Sequence, residues 1–315
     1  MVADLSPDQQ VKREAMAQQT VGMVGLGIMG AAMSFNLTRA GFRVVGFDVV
    51  PRRRTEHARS GGIAARSPRE VARRAEIVIT SLPSAHALAE VAAELAASAT
   101  RGTIVIETST LPIPVKETAR DVLARRGVVL LDCPLSGTGA QARVKDLLIY
   151  VSGDRTAYRK TIPVLSGFTS ANYYVGPFGS GSKMKFVANL LVAIHNVAAA
   201  EAMVLGMKGG LDPALVLKVV AGGAGGSRMF QVRGPMMVKG DYSEATMKNE
   251  VWQKDMTIIG DFARELDCPT PLFAASVPIY NAAMAMGLAK EDTGAVCKVL
   301  EEMAGNPRRE KRRRH

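Results

Sequence analysis

The sequence predicts an α/β fold of the Rossmann type in its N-terminal part, followed by an all-α C-terminal domain. From residue 21 to about residue 175, short apolar runs typical of strands alternate with helical segments, which indicates a parallel sheet covered by helices. After Gly181 the apolar residues recur at helical spacing, and no further strand pattern follows. The 315 residues are enough for two domains, each with its own core.

The individual elements follow from these patterns in chain order. Predicted strands of the first domain lie at 21–24, 43–48, 77–82, 103–107, 128–132, 147–152 and 173–175. Predicted helices of the second domain lie at 183–208, 213–220, 243–266, 271–287 and 291–303. The first of these helices follows a glycine cluster without a flexible linker, so we expect it to connect and brace both domains.

The first predicted strand runs into a glycine turn of the GxGxxG type, formed by Gly25, Gly27 and Gly30. The first glycine lets the chain turn, the second lets the backbone approach a pyrophosphate, and the third lets the helix pack on the strand. Backbone N–H groups at the helix N-terminus then hold the phosphates. The turn therefore predicts a dinucleotide site, and its cofactor-binding residues are Gly25, Gly27, Ile28, Met29 and Gly30.

Asp48 ends the second predicted strand, eighteen residues after Gly30. At this spacing a carboxylate reaches the ribose hydroxyls of the adenosine and repels a 2′-phosphate, which predicts NAD as the cofactor. Three arginines, at positions 52–54, follow at once. One of them can turn toward a phosphate and offset the repulsion, so NADP stays the alternative.

Two more predicted strands end in loops that we expect to line the cofactor groove. Leu82 and Pro83 follow one strand, and Thr110 closes the Thr-Ser-Thr run after the next. Strand ends at one edge of a parallel sheet collect the ligand. Ordinary turn chemistry is the other explanation, because proline and hydroxyl residues also begin helices.

A polar turn formed by Ser136, Gly137 and Thr138 follows the predicted strand at 128–132. Hydroxyls and backbone N–H groups can converge there on an anion. The turn therefore predicts a binding site for the carboxylate of an acidic substrate.

Lys185 and Asn189 stand one helical turn apart, on one face of the helix that follows the glycine cluster. Most lysines are solvated, but Lys185 heads the most apolar helix, where desolvation would lower its pKa toward the range of a general acid/base. Lys183 is expected to be its solvated neighbour. His195 is interpreted as a core histidine that can still touch substrate. Lys185 and Asn189 together predict a proton-transfer pair.

The chain has a net charge of +11, and part of it comes from the tail Arg308 to His315, which has six Lys and Arg residues and one glutamate. Such a charge run predicts a solvated, mobile terminus and no specific nucleic-acid site. The three cysteines lack CxxC spacing, which favours reduced, buried thiols in a cytosol. No cluster of His, Asp and Glu has metal-ligand spacing, so no metal is predicted.

The apolar stretch 186–207 approaches membrane-spanning length, but four polar residues interrupt it, so a buried helix is predicted and no membrane partner. Residues 1–19 lack the apolar core of a signal peptide, and a cytoplasmic location is expected. We predict a disordered extension at 1–19, a dinucleotide-binding domain at 20–180, an all-helical substrate and dimerisation domain at 181–305 and a basic tail at 306–315.

Four segments, in order, resemble the β-hydroxyacid dehydrogenase family. They are GLGIMGAAM at the glycine turn, a DxPxSG core from Asp132, GxxGxGxxxKxxxN from Gly176 to Asn189, and Lys254-Asp255. The family includes 3-hydroxyisobutyrate dehydrogenase and tartronate semialdehyde reductase. The stretches LLVAIHNVAAAEAM, GAGGSRMF and AKEDTGAVCKVL are similar to its L-threonate dehydrogenase-like branch, which acts on four-carbon sugar acids.

The resemblance implies an NAD(P)-dependent oxidoreductase for a small β-hydroxy acid, assembled as a homodimer or homotetramer. It implies that Lys185 is the catalytic lysine, that Asn189 positions the substrate, and that residues 136–138 bind the substrate carboxylate. Lys254 would close over the nicotinamide region. Thr138 replaces a second glycine of the family pattern, and Ala188 replaces a first asparagine, which leaves the substrate's size and polarity at that corner open.

Two alternative functions differ in their chemistry from a hydroxy-acid dehydrogenase. Imine reductases resemble this family in fold but lack a lysine at the position of Lys185. A non-enzymatic nucleic-acid-binding protein on the same fold would explain the basic charge. The intact pair of Lys185 and Asn189 argues against both, and no aromatic-basic patch supports the second.

Overall fold

The computed structural model describes residues 19–306. Nearly all of the extension predicted at 1–19 and of the basic tail predicted at 306–315 lies outside the described residues. The described chain up to Lys185 forms one compact unit, and the chain from Phe186 forms a second. The 29-residue helix Ser180–Lys208 begins in the first unit and continues in the second.

The first unit is built on a nine-stranded sheet. Its strands are β1 Thr20–Val24, β2 Arg43–Phe47, β3 Ile63–Ala64, β4 Ile77–Thr80, β5 Ile104–Glu107, β6 Val129–Asp132, β7 Leu135–Ser136, β8 Leu148–Ser152 and β9 Ala171–Gly176. The order across the sheet is β3, β2, β1, β4, β5, β6, β8 and β7, and β9 also pairs with β8. The run from β3 to β6 is parallel, as predicted. The prediction of a wholly parallel sheet is wrong at one end, since β6 and β7 both pair antiparallel with β8.

Helices cover this sheet and make up the second unit, so the predicted fold class is confirmed. The first unit contains α1 Ile28–Arg39, α2 Pro51–Arg59, α3 Pro68–Arg74, α4 Ala85–Ala96, α5 Ile113–Ala124, α6 Gly139–Arg143 and α7 Arg155–Phe168. The connecting helix is α8, Ser180–Lys208. The second unit continues with α9 Pro213–Val220, α10 Arg228–Lys239, α11 Asn249–Glu265, α12 Pro271–Ala285, a 3-10 turn Thr293–Ala295 and α13 Val296–Met303.

The central strands are buried on both faces, as expected for a parallel sheet between two helical layers. Met23 of β1 belongs to the apolar core on one face, together with Phe168 of α7. Val24, the next residue, belongs to the core on the other face, together with Leu88 of α4. Burying one such side chain stabilises the fold by about 1.5–3 kcal/mol.

The strand order reverses at β1, which has β2 on one side and β4 on the other. Val24 lies in register with Phe47 and with Thr80, so the three strands end at the same level. The Gly25 N–H donates to the Phe47 carbonyl at 2.8 Å, and the Ser81 N–H donates to the Val24 carbonyl at 2.9 Å. Such a reversal point opens a crevice at the carboxyl ends of the strands, where open α/β sheets bind their ligands.

The structure contains elements that the sequence patterns do not predict. Strands β3 and β7 have two residues each, too few to show any alternation. The sequence predictions also include no helix at α10, which contains an internal proline, Pro235. It forms nevertheless, and the Ser227 hydroxyl caps its N-terminus by accepting the Phe230 N–H at 3.1 Å.

Helix α11 begins at Asn249, later than the predicted helix at 243–266. The cause is the buried carboxylate of Asp292. It accepts the N–H and the hydroxyl of Thr246, both at 2.8 Å, and the Met247 N–H at 3.1 Å. These backbone groups are therefore held in a turn by a side chain that lies far away in sequence.

Two predictions about burial are wrong in part. Cys133 and Cys297 are buried, but Cys268 is exposed. Helix α8 has the length and mean hydropathy of a membrane span, 29 residues and 1.7. Its Asn196 is buried and donates to the Tyr280 hydroxyl at 3.2 Å, which is the packing of a core helix. Val187, Leu191 and Leu205 of the same helix are nevertheless exposed, so the helix is less covered than predicted.

Candidate active site

The glycine turn has the geometry that its sequence predicts. Gly25 has φ +94°, and a Cβ there would lie 2.2 Å from the Ser81 carbonyl oxygen. A Cβ on Gly30 would lie 1.8 Å from the Gly25 carbonyl oxygen, so only glycine lets α1 begin this close to the turn. A Cβ on Gly27 would meet nothing within 4 Å. The missing side chain of Gly27 thus leaves open space at a helix N-terminus. A pyrophosphate needs such space to approach the backbone closely.

The first turn of α1 carries the two apolar residues of the predicted cofactor site. Ile28 is 69% exposed, although it is large and apolar, while Met29 is half-buried against the core. No side chain caps this helix at Gly27. The N–H groups of a first helical turn have no partner within the helix, so the turn offers both donors and an apolar contact to a ligand.

Asp48 is held rigidly beside this turn. Its carboxylate is buried and accepts the Leu26 N–H at 2.7 Å and the Val50 N–H at 2.9 Å. Arg53 lies 3.4 Å from the same carboxylate, and Arg54 donates to the Asp48 carbonyl at 2.7 Å. The carboxylate therefore stands next to the glycine turn with its orientation fixed by two backbone donors.

The loops after β4 and β5 are joined to each other. The Leu82 N–H donates to the Ser109 hydroxyl at 2.8 Å, and the Ser109 N–H donates to Glu107 Oε1 at 2.9 Å. Pro83 is exposed and Thr110 is half-buried. The predicted cofactor loop at Leu82 is thus positioned by a hydroxyl from the neighbouring loop.

The turn at residues 136–138 lies between β7 and α6. Gly137 has φ +135°, and a Cβ there would lie 2.6 Å from Leu147, so this position requires glycine. The Thr138 N–H donates to Gln141 Oε1 at 3.0 Å and is therefore already used within the protein. Ser136 is half-buried at the end of its short strand. Among the predicted carboxylate-binding residues, Thr138 thus has its backbone donor engaged within the protein.

Close packing brings this turn next to the glycine turn. A Cβ on Gly139, the first residue of α6, would lie 2.4 Å from Ile28 Cγ2. The Asn36 amide of α1 also donates to the Ala142 carbonyl at 2.7 Å. The predicted carboxylate site and the predicted cofactor site are therefore neighbours within the first unit.

Lys185 lies in the second turn of α8, half-buried, while Lys183 is exposed as predicted. The first turn of α8 packs directly on the sheet, because a Cβ on Gly181 would lie 2.6 Å from the Tyr150 carbonyl and 2.7 Å from that of Asp132. The Gly181 N–H donates to the Ser152 hydroxyl at 2.9 Å. These contacts fix the end of the helix that carries Lys185.

Asn189 is buried one turn beyond Lys185 on α8, and its amide nitrogen donates to Asp255 Oδ2 of α11 at 2.9 Å. A carboxylate only accepts hydrogen bonds, so this contact turns the amide oxygen of Asn189 away from Asp255. Lys254 lies beside Asp255, with its Nζ 3.8 Å from Asp255 Oδ1. Asp255 is therefore the residue that orients Asn189.

Sequence reasoning assigns no role to two residues that organise this region, Asp132 and Asp255. Asp132 and Asp255 do stand inside segments that resemble the family, but the resemblance assigns neither of them a function. Ser109 belongs to the Thr-Ser-Thr run that the sequence predicts at the cofactor groove, but the sequence does not show that its hydroxyl accepts the Leu82 N–H. Within residues 19–306, no group of three or more His, Cys, Asp and Glu side chains is arranged to hold a metal ion.

Comparison with known proteins decides between the alternatives. Residues 20–176 match the NAD binding domain of 6-phosphogluconate dehydrogenase, and residues 179–300 match the NAD-binding domain of NADP-dependent 3-hydroxyisobutyrate dehydrogenase. L-threonate dehydrogenase of Cupriavidus necator is 35% identical over 286 residues, 90% of this chain and 96% of that protein. The chain belongs to the β-hydroxyacid dehydrogenase family.

Other members of the family are similar to this chain in sequence and in structure. The mitochondrial 3-hydroxyisobutyrate dehydrogenase of Rattus norvegicus is 31% identical, over 91% of this chain and 89% of its own length. A solved 3-hydroxyisobutyrate dehydrogenase from Salmonella typhimurium has a TM-score of 0.81 at 30% identity and covers 90% of this chain and 100% of its own. As in this family, the chain is an NAD(P)-dependent hydroxy-acid dehydrogenase. Neither the imine reductase nor the non-enzymatic alternative is favoured.

Proposed function

We propose that this β-hydroxyacid dehydrogenase oxidises a small sugar acid, such as threonate, with Lys185 as the general acid/base. The observation that carries the proposal is the arrangement on α8. Lys185 and Asn189 stand one turn apart on one face, the helix end is bonded to the sheet, and Asp255 orients the amide of Asn189. A proton acceptor on a helix fixed in this way is suited to act on a substrate hydroxyl within hydrogen-bond distance of it.

The steps assigned to this chain are binding, orientation and proton transfer. The Ser136 hydroxyl donates to the substrate carboxylate and so determines which carbon faces the cofactor. When bound, a nicotinamide cofactor would supply the acceptor for the hydride of the carbinol carbon. The neutral amine of Lys185 takes the hydroxyl proton, and in the reverse direction its ammonium returns that proton. The amide oxygen of Asn189 keeps Lys185 or the substrate hydroxyl in line.

The residues that we propose to face the substrate are polar or small, which favours a substrate with a second hydroxyl. They include Ser136, Thr138, Asn189 and His195. Ser227 lies in one of the stretches that resemble the sugar-acid branch, but its hydroxyl caps α10, so we do not assign it to the substrate. A site that pairs a hydroxyl rejects an analogue carrying a methyl group in its place, because its polar groups are then left unsatisfied.

We therefore expect kcat/KM for four-carbon sugar acids to exceed that for 3-hydroxyisobutyrate by about a hundredfold or more. The measurement is a set of initial rates for three- and four-carbon hydroxy acids, each with NAD and with NADP. Comparable values for threonate and 3-hydroxyisobutyrate would show that these polar side chains do not select the substrate.

We propose NAD as the preferred cofactor, because Asp48 accepts ribose hydroxyls and repels a 2′-phosphate. Arg53 opposes this preference. It lines a cavity of about 250 Å³ between α1 and α2, so it has room to turn away from Asp48. We expect the ratio of kcat/KM for NAD over NADP to fall about tenfold in Asp48→Asn, equal to about 1.4 kcal/mol of discrimination. Arg53→Ala is expected to raise the ratio.

Arg52→Ala is the matched control for both variants, since Arg52 pairs with Glu56 at the exposed surface and does not contact Asp48. It should leave the cofactor ratio as in the wild type. If NADP is the better cofactor and Arg53→Ala removes its use, the arginines read the cofactor and the assignment to NAD is wrong.

We propose that the chain forms a homodimer or homotetramer through its helical unit. Eleven large apolar residues of that unit are exposed, and six of them lie on α8, on α9 or in the turn between, namely Val187, Leu191, Leu205, Leu211, Leu215 and Val219. Isolated apolar residues are common on protein surfaces, but six on two consecutive helices and their connecting turn favour cover by a second copy.

Light scattering at micromolar concentration should give a dimer or tetramer mass, and Leu205→Glu should lower it. Leu205 is 75% exposed, so this substitution disturbs no core of the single chain. Retention of full activity by a protein with the mass of one chain would contradict the proposal.

A cytoplasmic location, without a membrane partner or a specific nucleic-acid partner, completes the proposal. It rests on two observations. The family acts on small acids, and the densest run of basic residues lies at positions 308–315. Tight binding to mixed-sequence DNA at physiological salt would overturn it, since non-specific charge contacts are weak there.

A further inference from the structure

A fully buried cluster of three charged side chains lies at the carboxyl ends of β5 and β6. Glu107 ends β5, Asp132 ends β6, and the two are paired in register. Lys116 of α5 reaches between them, with its Nζ 2.7 Å from Glu107 Oε2 and 2.8 Å from Asp132 Oδ1. No step of the proposed mechanism uses these groups.

One side of the cluster holds the helix that carries Lys185. Asp132 Oδ2 accepts the Ser182 N–H at 2.8 Å, and Asp132 Oδ1 accepts the Ser182 hydroxyl at 2.8 Å. Ser182 belongs to the first turn of α8, three residues before Lys185. A carboxylate at this point satisfies a free N–H of the helix end and interacts favourably with the helix dipole.

The other side of the cluster holds the predicted cofactor loop. Glu107 Oε1 accepts the Ser109 N–H at 2.9 Å, and the Ser109 hydroxyl accepts the Leu82 N–H at 2.8 Å. Lys116 therefore joins two chains of hydrogen bonds. One ends at the backbone of Leu82, and the other ends at the first turn of α8.

Stability alone does not explain a cluster of this kind. Well-packed apolar side chains in place of buried ion pairs are often neutral or stabilising, whereas removal of one partner leaves a buried charge without compensation. Burial by itself would lower the pKa of Lys116, but the charges of Asp132 and Glu107 raise it above its ordinary value. The ammonium is thus retained across the physiological pH range.

The charge of Lys116 also compensates the charges of both carboxylates. Without it, two neighbouring buried carboxylates repel each other. The bonds that hold them to Ser182 and to Ser109 would then weaken.

We propose that Lys116 is a positioning residue that sets the placement of Lys185 and of the cofactor loop together, through Asp132–Ser182 on one side and Glu107–Ser109–Leu82 on the other. The inference rests on the proposed role of Lys185 and adds to it the residues that fix its helix. Since the two sides are separate series of hydrogen bonds, we expect a change on the Ser182 side to affect turnover and a change on the Ser109 side to affect cofactor binding.

The test compares Ser182→Ala with Ser109→Ala, each of which removes one hydroxyl and leaves the charges in place. Ser182→Ala is expected to lower kcat about tenfold with the Kd for NAD unchanged, the scale of a slightly misplaced catalytic group. Ser109→Ala is expected to raise the Kd for NAD about tenfold with kcat at saturation retained. Lys116→Met, where it folds, should show both changes.

Ser276→Ala is the matched control, because its buried hydroxyl donates to the Phe273 carbonyl at 2.7 Å in the other unit. It should lower the melting temperature by a similar amount and leave kcat and Kd unchanged. If Ser182→Ala and Ser109→Ala behave like this control, the cluster is only structural and the inference is wrong.

Lys185→Ala, assayed in parallel, separates failure of the inference from failure of the proposed function. Loss of turnover in Lys185→Ala with wild-type kcat in Ser182→Ala would overturn the positioning role alone. Retained turnover in Lys185→Ala would remove the proposed function, on which this inference depends.

Discussion

Replacement of Lys185 by alanine is expected to lower kcat by about two orders of magnitude or more, the scale of a lost general acid/base. The Kd for the cofactor should stay nearly unchanged, because the glycine turn and Asp48 lie on other elements. The reason for the loss is that no other group is proposed to take the proton of the substrate hydroxyl. Steady-state rates and cofactor titration measure the two quantities separately.

Lys183→Ala provides the matched control for this prediction. Lys183 lies two residues earlier on the same helix and is exposed, so its removal changes the same net charge without touching the proposed proton path. Its kcat should equal that of the wild type. Near wild-type turnover in Lys185→Ala would remove Lys185 from the mechanism.

Gly27→Ala is expected to weaken cofactor binding by about a hundredfold, equal to about 2.7 kcal/mol of binding free energy. A methyl group there meets nothing within 4 Å in the protein, so the fold should tolerate it. It would instead occupy the space into which the pyrophosphate must come. A melting temperature close to that of the wild type, with a strongly raised Kd for NAD, is the expected pair of results.

Gly260→Ala is the control for the added methyl group. Gly260 lies within α11, and the nearest atom to a Cβ there is 4.0 Å away, an ordinary contact distance. This variant should bind NAD like the wild type. Unchanged Kd in Gly27→Ala would mean that the pyrophosphate does not lie over this glycine, and the assignment of the turn would be wrong.

Local patterns in the sequence predict much of this fold, because each of them reflects one physical requirement that only a few residue types can meet. The strand from Thr20 to Val24, the three glycines and the acid at position 48 are all predictable, since turn, close approach and ribose contact each demand one residue type. Helix α9 has the bounds that the sequence predicts, because Asp212 and Pro213 mark its start.

The parts that could not be predicted depend on residues far apart in sequence. Helix α11 starts late because Asp292, more than forty residues away, holds the turn before it. The same holds for the site. Asp132 is visible in the sequence only as one letter of a motif, although it bonds Ser182, fifty residues further on. Likewise, Lys116 looks like one more helical lysine, and only its burial distinguishes it.

The central claim is that the amine of Lys185 moves the proton while a hydroxy acid is oxidised, and chemical rescue tests it most directly. The measurement is the turnover of Lys185→Ala with its best hydroxy acid and NAD, as a primary amine such as methylamine is added. We predict that turnover rises with the concentration of the unprotonated amine, and that neither the wild type nor Lys183→Ala responds. Turnover of Lys185→Ala that is independent of the amine at every concentration would contradict the claim.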